Sequence, residues 1–184
     1  MLLGSALRVH AVTIHSRIEI TNADDLEKRI AAVSRGLVTF DGCPLAGKTT
    51  LMNEIGRRLS CPTLDLDHYL NRDNGHFFNA LRLPDLERDV DGALSRSAIA
   101  LVAGICMRRV LEAVDRTAAL SLYIQANSPA GIPCDLDTLD AEDGSVFDCD
   151  IDFPFSALLQ EVHAYHAKYL PRSNADILYI RVSD

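Results

Sequence analysis

Short apolar runs alternate with amphipathic segments along most of this chain. Runs rich in β-branched and aromatic residues predict five buried strands, which are Gly36–Asp41, Pro62–Asp67, Ala98–Ala103, Ala119–Ile124 and Ala175–Val182. Between these runs, apolar residues recur at spacings of three and four, which predicts helices. The alternation indicates an α/β fold with a doubly wound, mostly parallel five-stranded sheet, whose ligand crevice lies at the carboxyl ends of the strands.

End signals locate two of the helices. Thr21 or Asn22 caps a first helix that runs through about Ser34. Pro84 suits the first turn of another helix, since proline has no N–H to lose there. Further helices are predicted over residues 50–60, 106–114 and 155–169. These helices and strands all lie within residues 21–184, and residues 68–83 form a polar and aromatic connection between two of them.

The length of 184 residues, almost half of them apolar, suits one domain with a full core. We assign residues 21–184 to that domain and residues 1–20 to an N-terminal arm or an extra strand. Within the domain, residues 127–153 are acidic and predict a solvated loop in the position of a lid.

Charge and cysteine content narrow the expected partners and location. The net charge of −8 and the absence of a large Lys/Arg cluster argue against nucleic acid, which is bound by basic surfaces. No apolar run is long enough to cross a membrane. The five cysteines are odd in number and contain no C-x-x-C pair, which argues against a disulfide framework or a zinc site. We therefore expect a cytoplasmic protein with free thiols and a small-molecule partner.

One eight-residue segment fits the phosphate-binding pattern G-x-x-x-x-G-K-[ST]. In such a loop, backbone N–H groups and the following helix N-terminus hold phosphate, the lysine adds positive charge, and the hydroxyl can bind Mg²⁺. The pattern follows a predicted strand and opens a predicted helix, as its function requires. We therefore expect ATP and Mg²⁺ as cofactors, bound by Gly42, Cys43, Pro44, Leu45, Ala46, Gly47, Lys48, Thr49 and Thr50. The segment Gly42–Thr49 is called the phosphate loop below.

Cys43 lies inside this loop and has two interpretations. The N–H dipoles and Lys48 could depress the pKa of its thiol and make it reactive. Alternatively, it is a small residue that fits the loop, which is favoured because no redox partner is evident nearby.

Two carboxylates end the second predicted strand. Asp65 and Asp67 alternate with apolar residues, so a strand would place both on one face, beside the phosphate loop. Asp67 could accept the proton of an attacking hydroxyl, and either aspartate could help to hold Mg²⁺. A helix cap or a surface pair beside a turn is the alternative.

Other classes of nucleotide-binding protein fit less well. Regulatory GTPases need an N-K-x-D segment, which this chain lacks. Its D-x-x-G match, Asp89 to Gly92, falls within or at the end of a predicted helix and before the third strand, whereas a switch loop would follow that strand.

Segments beyond the phosphate loop resemble the P-loop kinases of the uridine kinase, phosphoribulokinase and pantothenate kinase group. The resemblance covers roughly residues 36–182 and includes residues 39–51, 65–69, 101–105, 165–171 and 175–177. It implies that the acceptor-side carboxylate of the family's D-x-Y segment falls on Asp67, with Tyr69 behind it.

The chain departs from that family in two places. Ala103 stands where the family has a glutamate before the glycine of the third strand. The family's lid arginines are also missing, because residues 117–167 contain no Lys or Arg. Arg109 and Arg172 are the arginines we expect to approach the nucleotide. In the acidic segment, Asp148, Asp150 and Asp152 resemble the start of a calcium loop, but the glycine and closing glutamate of such a loop are absent.

These observations lead to two functional hypotheses. The first is a kinase that transfers the γ-phosphate of ATP to a hydroxyl of a nucleoside or similar small molecule, as a monomer or a homodimer. Its acceptor would contact Tyr69, Arg72, His76, Phe77 and Arg82. The second, motivated by Ala103 and by the lid without arginines, is a nucleotide-binding module that has lost transfer activity and acts as a sensor or partner protein.

Overall fold

A parallel β-sheet lies at the centre of the molecule. The computed structural model describes residues 17–71, 77–145 and 156–182. In these ranges six strands lie in the order β1-β6-β5-β2-β4-β3, and every neighbouring pair is parallel. The strands are β1 (Ile18–Ile20), β2 (Gly36–Asp41), β3 (Thr63–Asp65), β4 (Ile99–Ala103), β5 (Ala118–Asn127) and β6 (Ile177–Val182).

The predicted α/β class and parallel sheet are confirmed, but the predicted number of strands is wrong. The additional strand is β1, which pairs with β6 through Ile18 and Ile177. This strand is three residues long. It lies within residues 1–20, for which the sequence predicts either an arm or an extra strand. Residues 1–16 of that segment lie outside the described ranges.

Helices cover both faces of this sheet. They are α1 (Ala23–Ala31), α2 (Lys48–Leu59), α3 (Phe77–Ala80), α4 (Leu83–Arg96), α5 (Met107–Ala113), α6 (Leu136–Glu142) and α7 (Ser156–Tyr169). The Asn22 side chain caps α1 by accepting the N–H of Asp25 at 2.9 Å, and Pro84 lies in the first turn of α4, as the sequence predicts. None of these helices is long and apolar enough to span a membrane.

Each face of the sheet has its own apolar core. On one face, α1 and α2 bury Leu26, Ile30 and Ile55 against strand residues such as Phe40. On the other, α4, α5 and α7 bury side chains including Val90, Val110 and Val162. Full burial of a Leu, Ile or Val side chain stabilises the fold by about 1.5–3 kcal/mol. The two cores hold the strands in register and so fix what lies at their ends.

The strand β3 is shorter than the sequence predicts. It ends at Asp65, and Leu66–Tyr69 form a 3₁₀ helix. The Asp65 carboxylate accepts the backbone N–H of Asp67 at 3.0 Å, so the side chain caps this turn and draws the backbone away from the sheet. The expectation that Asp65 and Asp67 share one face of a strand is therefore wrong, although both reach the same pocket, as described below.

The acidic segment 127–153 is not a loop throughout. Within its described part, residues 127–145, the helix α6 packs against α7. The side chain of its last residue, Glu142, is only 5% exposed. It accepts hydrogen bonds from His166 Nδ1 at 3.2 Å, from the Arg172 and Ser173 N–H groups at 2.9 and 3.0 Å, and from Ser173 Oγ at 2.6 Å. The aspartates 148, 150 and 152 of the rejected calcium loop lie outside the described residues.

Replacing Glu142 with glutamine should destabilise the fold by about 1–3 kcal/mol at pH 7, since a charged acceptor of four hydrogen bonds is lost. Burial by itself raises the pKa of the Glu142 carboxyl, but the hydrogen bonds from His166, Ser173 and Arg172 outweigh it and lower that pKa below its ordinary value of 4.5. The stabilisation is thus complete above pH 4.5 and is lost as the pH falls through the lowered pKa.

Urea unfolding of the wild type and of Glu142→Gln at several pH values measures this effect. The difference in free energy of unfolding should shrink below pH 4.5. Asp143→Asn is the matched control, because Asp143 is exposed at the end of the same helix and should have little effect. Equal stability of Glu142→Gln and wild type at pH 7 would contradict the described role of Glu142.

Candidate nucleotide-binding site

The phosphate loop joins β2 to α2 and turns sharply against β5. Gly42 has φ = 138°, and a Cβ atom there would lie 2.4 Å from the carbonyl oxygen of Ile124, so only glycine fits. Gly47 has φ = 84° and begins α2 in the left-handed conformation. The tip residue Leu45 also has positive φ, and its side chain is fully exposed. The two glycines of the pattern are therefore both required by backbone geometry.

The Lys48 side chain is buried within the curve of the loop. Its Nζ donates a hydrogen bond to the carbonyl oxygen of Cys43 at 2.6 Å. Burial lowers the pKa of Lys48 below its ordinary value, although Asp41, Asp67 and Asp65 act to raise it. No carboxylate of the described residues forms an ion pair with this ammonium group, so an anion held by the loop would supply one directly.

A pocket of about 570 Å³ opens in front of the loop. It lies where the carboxyl ends of β2, β3, β4 and β6 meet, which is the ligand-binding edge of a doubly wound sheet. Residues from the loop and the start of α2 form one wall, namely Pro44, Leu45, Gly47, Lys48, Thr49 and Thr50. The other lining residues are Asp65, Asp67, Leu70, Phe77, Gly104, Ile105, Leu158 and Arg181.

Oxygen atoms suited to Mg²⁺ line this pocket. Thr49 supplies a hydroxyl, and Asp65 and Asp67 supply carboxylates. Mg²⁺ is commonly bound by one or two carboxylates together with phosphate oxygens and water, so this donor set fits the ion. In the described ranges no group of three or more His, Cys, Asp or Glu side chains is placed to hold a metal ion by itself, so phosphate would need to complete the coordination.

Three of the residues predicted to bind ATP lie behind the wall of the pocket. Gly42, Cys43 and Ala46 are buried and do not line the pocket. The Cys43 thiol lies 3.0 Å from Thr138 Oγ1 of α6 and 3.5 Å from the Tyr123 hydroxyl, which in turn donates to Asp135 at 2.9 Å. This arrangement attaches α6 to the back of the loop.

The hypothesis of a reactive Cys43 is wrong. Burial, with the negative charge of Asp135, raises the pKa of the Cys43 thiol to about 12. The nearby hydrogen bonds from Thr138 and Tyr123 act in the opposite direction but do not outweigh burial. The thiol is thus neutral at physiological pH and acts as a packing and hydrogen-bonding group.

Arg109 and Arg172 are placed away from the pocket. Arg109 pairs with Glu161 at 3.0 Å and lies 3.8 Å above the centre of the Phe78 ring. Arg172 donates from Nε to the Gln125 side chain at 2.8 Å, and it is not among the residues that line the pocket. The structure does not bring either arginine to the loop.

The structure does not bring the predicted acceptor-binding residues together in the pocket. Phe77 lines the pocket. The Tyr69 hydroxyl is bonded to Asp89 at 2.9 Å, and Arg82 donates to the carbonyl of His68 at 2.8 Å, so neither side chain lines the pocket. Asp89 lies inside α4, which agrees with rejecting it as part of a switch loop. Arg72 and His76 fall outside the described residues.

Arg181 lines the pocket but was missed from the sequence. It lies on β6, near the carboxyl end of the last strand. In an all-parallel sheet that end lies at the same edge as the phosphate loop, and this topology is the signal that could have identified it.

A buried Asp41 behind the loop was missed as well. It accepts hydrogen bonds from the Tyr165 hydroxyl and, at 2.8 Å, from the Gly42 N–H. Burial raises the pKa of Asp41, while these two hydrogen bonds act to lower it. The carboxyl therefore ties β2, the loop and α7 together.

The thiols should differ strongly in their rate of alkylation. Cys134 is exposed and should react first with iodoacetamide at pH 8, Cys61 should follow, and buried Cys43 and Cys106 should react last. Burial raises the pKa of both slow thiols. Peptide mass spectrometry over time measures the order, with urea-unfolded protein as the control in which these differences should vanish. Alkylation of Cys43 as fast as Cys134 in folded protein would contradict the described packing.

Two solved structures with a similar fold are kinases by name. A possible uridine kinase from Bacillus stearothermophilus aligns with a TM-score of 0.58 and 16% identity, covering 85% of this chain and 96% of its own. A protein provisionally named a fructose transport system kinase, from Silicibacter sp. TM1040, aligns with a TM-score of 0.51 and 16% identity, covering 86% and 99%. No family model and no curated protein matches the chain. The chain thus has the fold of P-loop kinases.

Proposed function

We propose that this protein is a phosphotransferase that moves the γ-phosphate of ATP to a hydroxyl group of a small molecule, a nucleoside or a similar compound. The observation that carries the proposal is the single pocket into which Lys48, Thr49, Asp65 and Asp67 all open. A phosphate-binding loop alone would support only binding. Carboxylates facing it add the groups that transfer requires.

The loop would hold the triphosphate. Its backbone N–H groups and the N-terminus of α2 favour negative charge. The Lys48 ammonium, bonded to the Cys43 carbonyl at 2.6 Å, would turn to the β- and γ-phosphates, which are stronger acceptors because they are charged. This exchange would pair a buried cation with an anion.

Thr49, Asp65 and Asp67 would hold Mg²⁺, directly or through water. The ion, when bound, would neutralise the charge that develops on the phosphate oxygens. Asp65 already uses one carboxylate oxygen to cap the 3₁₀ helix, which fixes its orientation toward this role.

Asp67 is the group proposed to receive the proton. It is exposed at the pocket, whereas Asp65 is half-buried and bonded to the Asp67 N–H. As the acceptor oxygen forms its bond to the γ-phosphorus, the bond from that phosphorus to the bridging oxygen breaks and ADP leaves. The proton of the acceptor hydroxyl passes to the Asp67 carboxylate.

The acceptor would lie against the apolar wall opposite the loop. That wall consists of Leu70, Phe77, Ile105 and Leu158. Such a surface suits a flat or partly apolar molecule, such as a nucleoside, better than a fully hydrated sugar. Contacts between the acceptor and Arg72 or His76 stay a prediction. A homodimer and a cytoplasmic location also stay predictions.

A nucleotide-binding module without transfer activity is the second candidate. The observation that favours it is that α6, which occupies the lid region, carries acidic side chains and no arginine. Neither Arg109 nor Arg172 compensates, since neither lines the pocket. An arginine at the transferring phosphate can be worth factors of about 10³–10⁵ in rate.

Acceptor-dependent formation of ADP distinguishes these candidates. Wild-type protein, Asp67→Asn and Lys48→Ala would be incubated with Mg-ATP and nucleosides, pantothenate or sugar phosphates. Asp67→Asn should reduce turnover about 10²- to 10⁴-fold, the usual worth of a general base. Lys48→Ala should abolish the rise in melting temperature that ATP causes in the wild type.

Asp91→Asn is the control for Asp67→Asn. Asp91 pairs with Arg116 at 2.7 Å on the exposed side of α4, outside the pocket, and its replacement should leave turnover unchanged. ATP stabilisation without turnover on any acceptor would favour the second candidate. No stabilisation of the wild type by ATP would contradict both.

A further inference from the structure

The guanidinium of Arg181 lies directly against the phosphate loop. A Cβ atom placed on Gly47 would be 2.0 Å from Arg181 Nη1 and 3.2 Å from its Cζ. The guanidinium thus occupies the space that the missing side chain of Gly47 leaves free. The same pocket contains Lys48 and Thr49, which places this guanidinium beside the phosphate-binding groups.

Arg181 differs in its contacts from the arginines that form ion pairs on the surface. Arg58, Arg88, Arg109 and Arg116 each pair with a carboxylate. Over the described ranges, no side-chain hydrogen bond or ion pair involves Arg181, and the residue is exposed. Its donors are therefore available to a ligand, and a guanidinium suits bidentate binding of phosphate.

The charge distribution around the pocket gives this arginine a specific role. Residues 117–167 contribute no Lys or Arg. The two aspartates of the pocket enter from β3 and the following turn, whereas Arg181 enters from β6, at the other side of β2 in the sheet. The polyphosphate of a bound nucleotide would thus meet positive charge from Lys48 and from the last strand.

We propose that Arg181 binds the polyphosphate chain of the nucleotide, supplying from β6 the guanidinium that the lid region does not contain. This inference rests on the proposed function, because it takes a nucleotide as the ligand of the loop. It adds a cation that neither the loop pattern nor the lid provides. It also explains why the space beside Gly47 is occupied by a long polar side chain.

Calorimetric titration with Mg-ATP and with magnesium tripolyphosphate tests the proposal. Arg181→Gln should weaken the binding of both ligands about 10- to 100-fold, since charged hydrogen bonds are lost in each complex. Arg181→Lys should give an intermediate loss, because it keeps the charge but not the planar fork of donors. Melting temperatures without ligand would verify that each variant is folded.

Arg57→Gln is the matched control. Arg57 is exposed in the last turn of α2, away from the loop, so this variant has the same change in net charge without a change in the pocket. It should bind both ligands as the wild type does. Similar weakening by Arg57→Gln and Arg181→Gln would mean that only net charge matters, and it would overturn the proposal.

Two other outcomes would also overturn it. Unchanged binding of both ligands by Arg181→Gln would show that the guanidinium does not contact phosphate. Weaker binding of Mg-ATP with unchanged binding of tripolyphosphate would assign Arg181 to the base or the ribose. In both cases the wild type binds Mg-ATP and the proposed function stands, whereas a wild type that binds neither ligand would overturn the proposed function as well.

Discussion

A buried ammonium group needs oxygen atoms around it, and Lys48 places that requirement at the centre of the molecule. Its Nζ bonds to the Cys43 carbonyl, while the buried Asp41 lies behind the loop and adds negative charge. Asp41 is held in turn by the Tyr165 hydroxyl and the Gly42 N–H. An unpaired buried charge costs several kcal/mol. The end of β2, the loop and α7 must therefore keep one arrangement, and that arrangement positions the pocket.

The parallel sheet brings the remaining groups to the same edge. Asp65 pairs in register with Ala103, the position where the resembling kinases have a glutamate. A carboxylate is thus present one strand away from where that family places its own. The acidic side of the pocket lies at β3, while Arg181 lies at β6 beyond the central strand β2. This separation suits a ligand whose phosphates lie toward Arg181 and whose reacting hydroxyl lies toward Asp67.

Features that depend on local pattern were predictable from the sequence, and features that depend on distant contacts were not. The strand β2 follows from one short apolar run, and the phosphate loop follows from its two glycines and Lys48. The turn after Asp65 was missed because a side-chain hydrogen bond to a backbone N–H competes with the strand ladder. The raised pKa of the Cys43 thiol depends on burial under α6, a helix whose apolar pattern is too weak to identify from sequence. Arg181 could not be identified without the order and direction of the strands, because its position beside the loop depends on β6 running parallel to β2.

The helix α6 is acidic, yet it packs behind the loop proposed to bind phosphate. Its direct hydrogen bond to the loop is neutral, because it joins Thr138 to the Cys43 thiol, and the charge of Asp135 reaches only that buried thiol at the back of the loop. The acids at its two ends accept hydrogen bonds from elsewhere, Asp135 from the Tyr123 hydroxyl and Glu142 from Ser173. Moving α6 away would break these hydrogen bonds, and a hydrogen bond to a charged group is worth about 1.5–3 kcal/mol. The helix is thus better suited to supporting the loop from behind than to supplying charge in front of it, and the cations for a bound phosphate chain must come from the loop and the sheet.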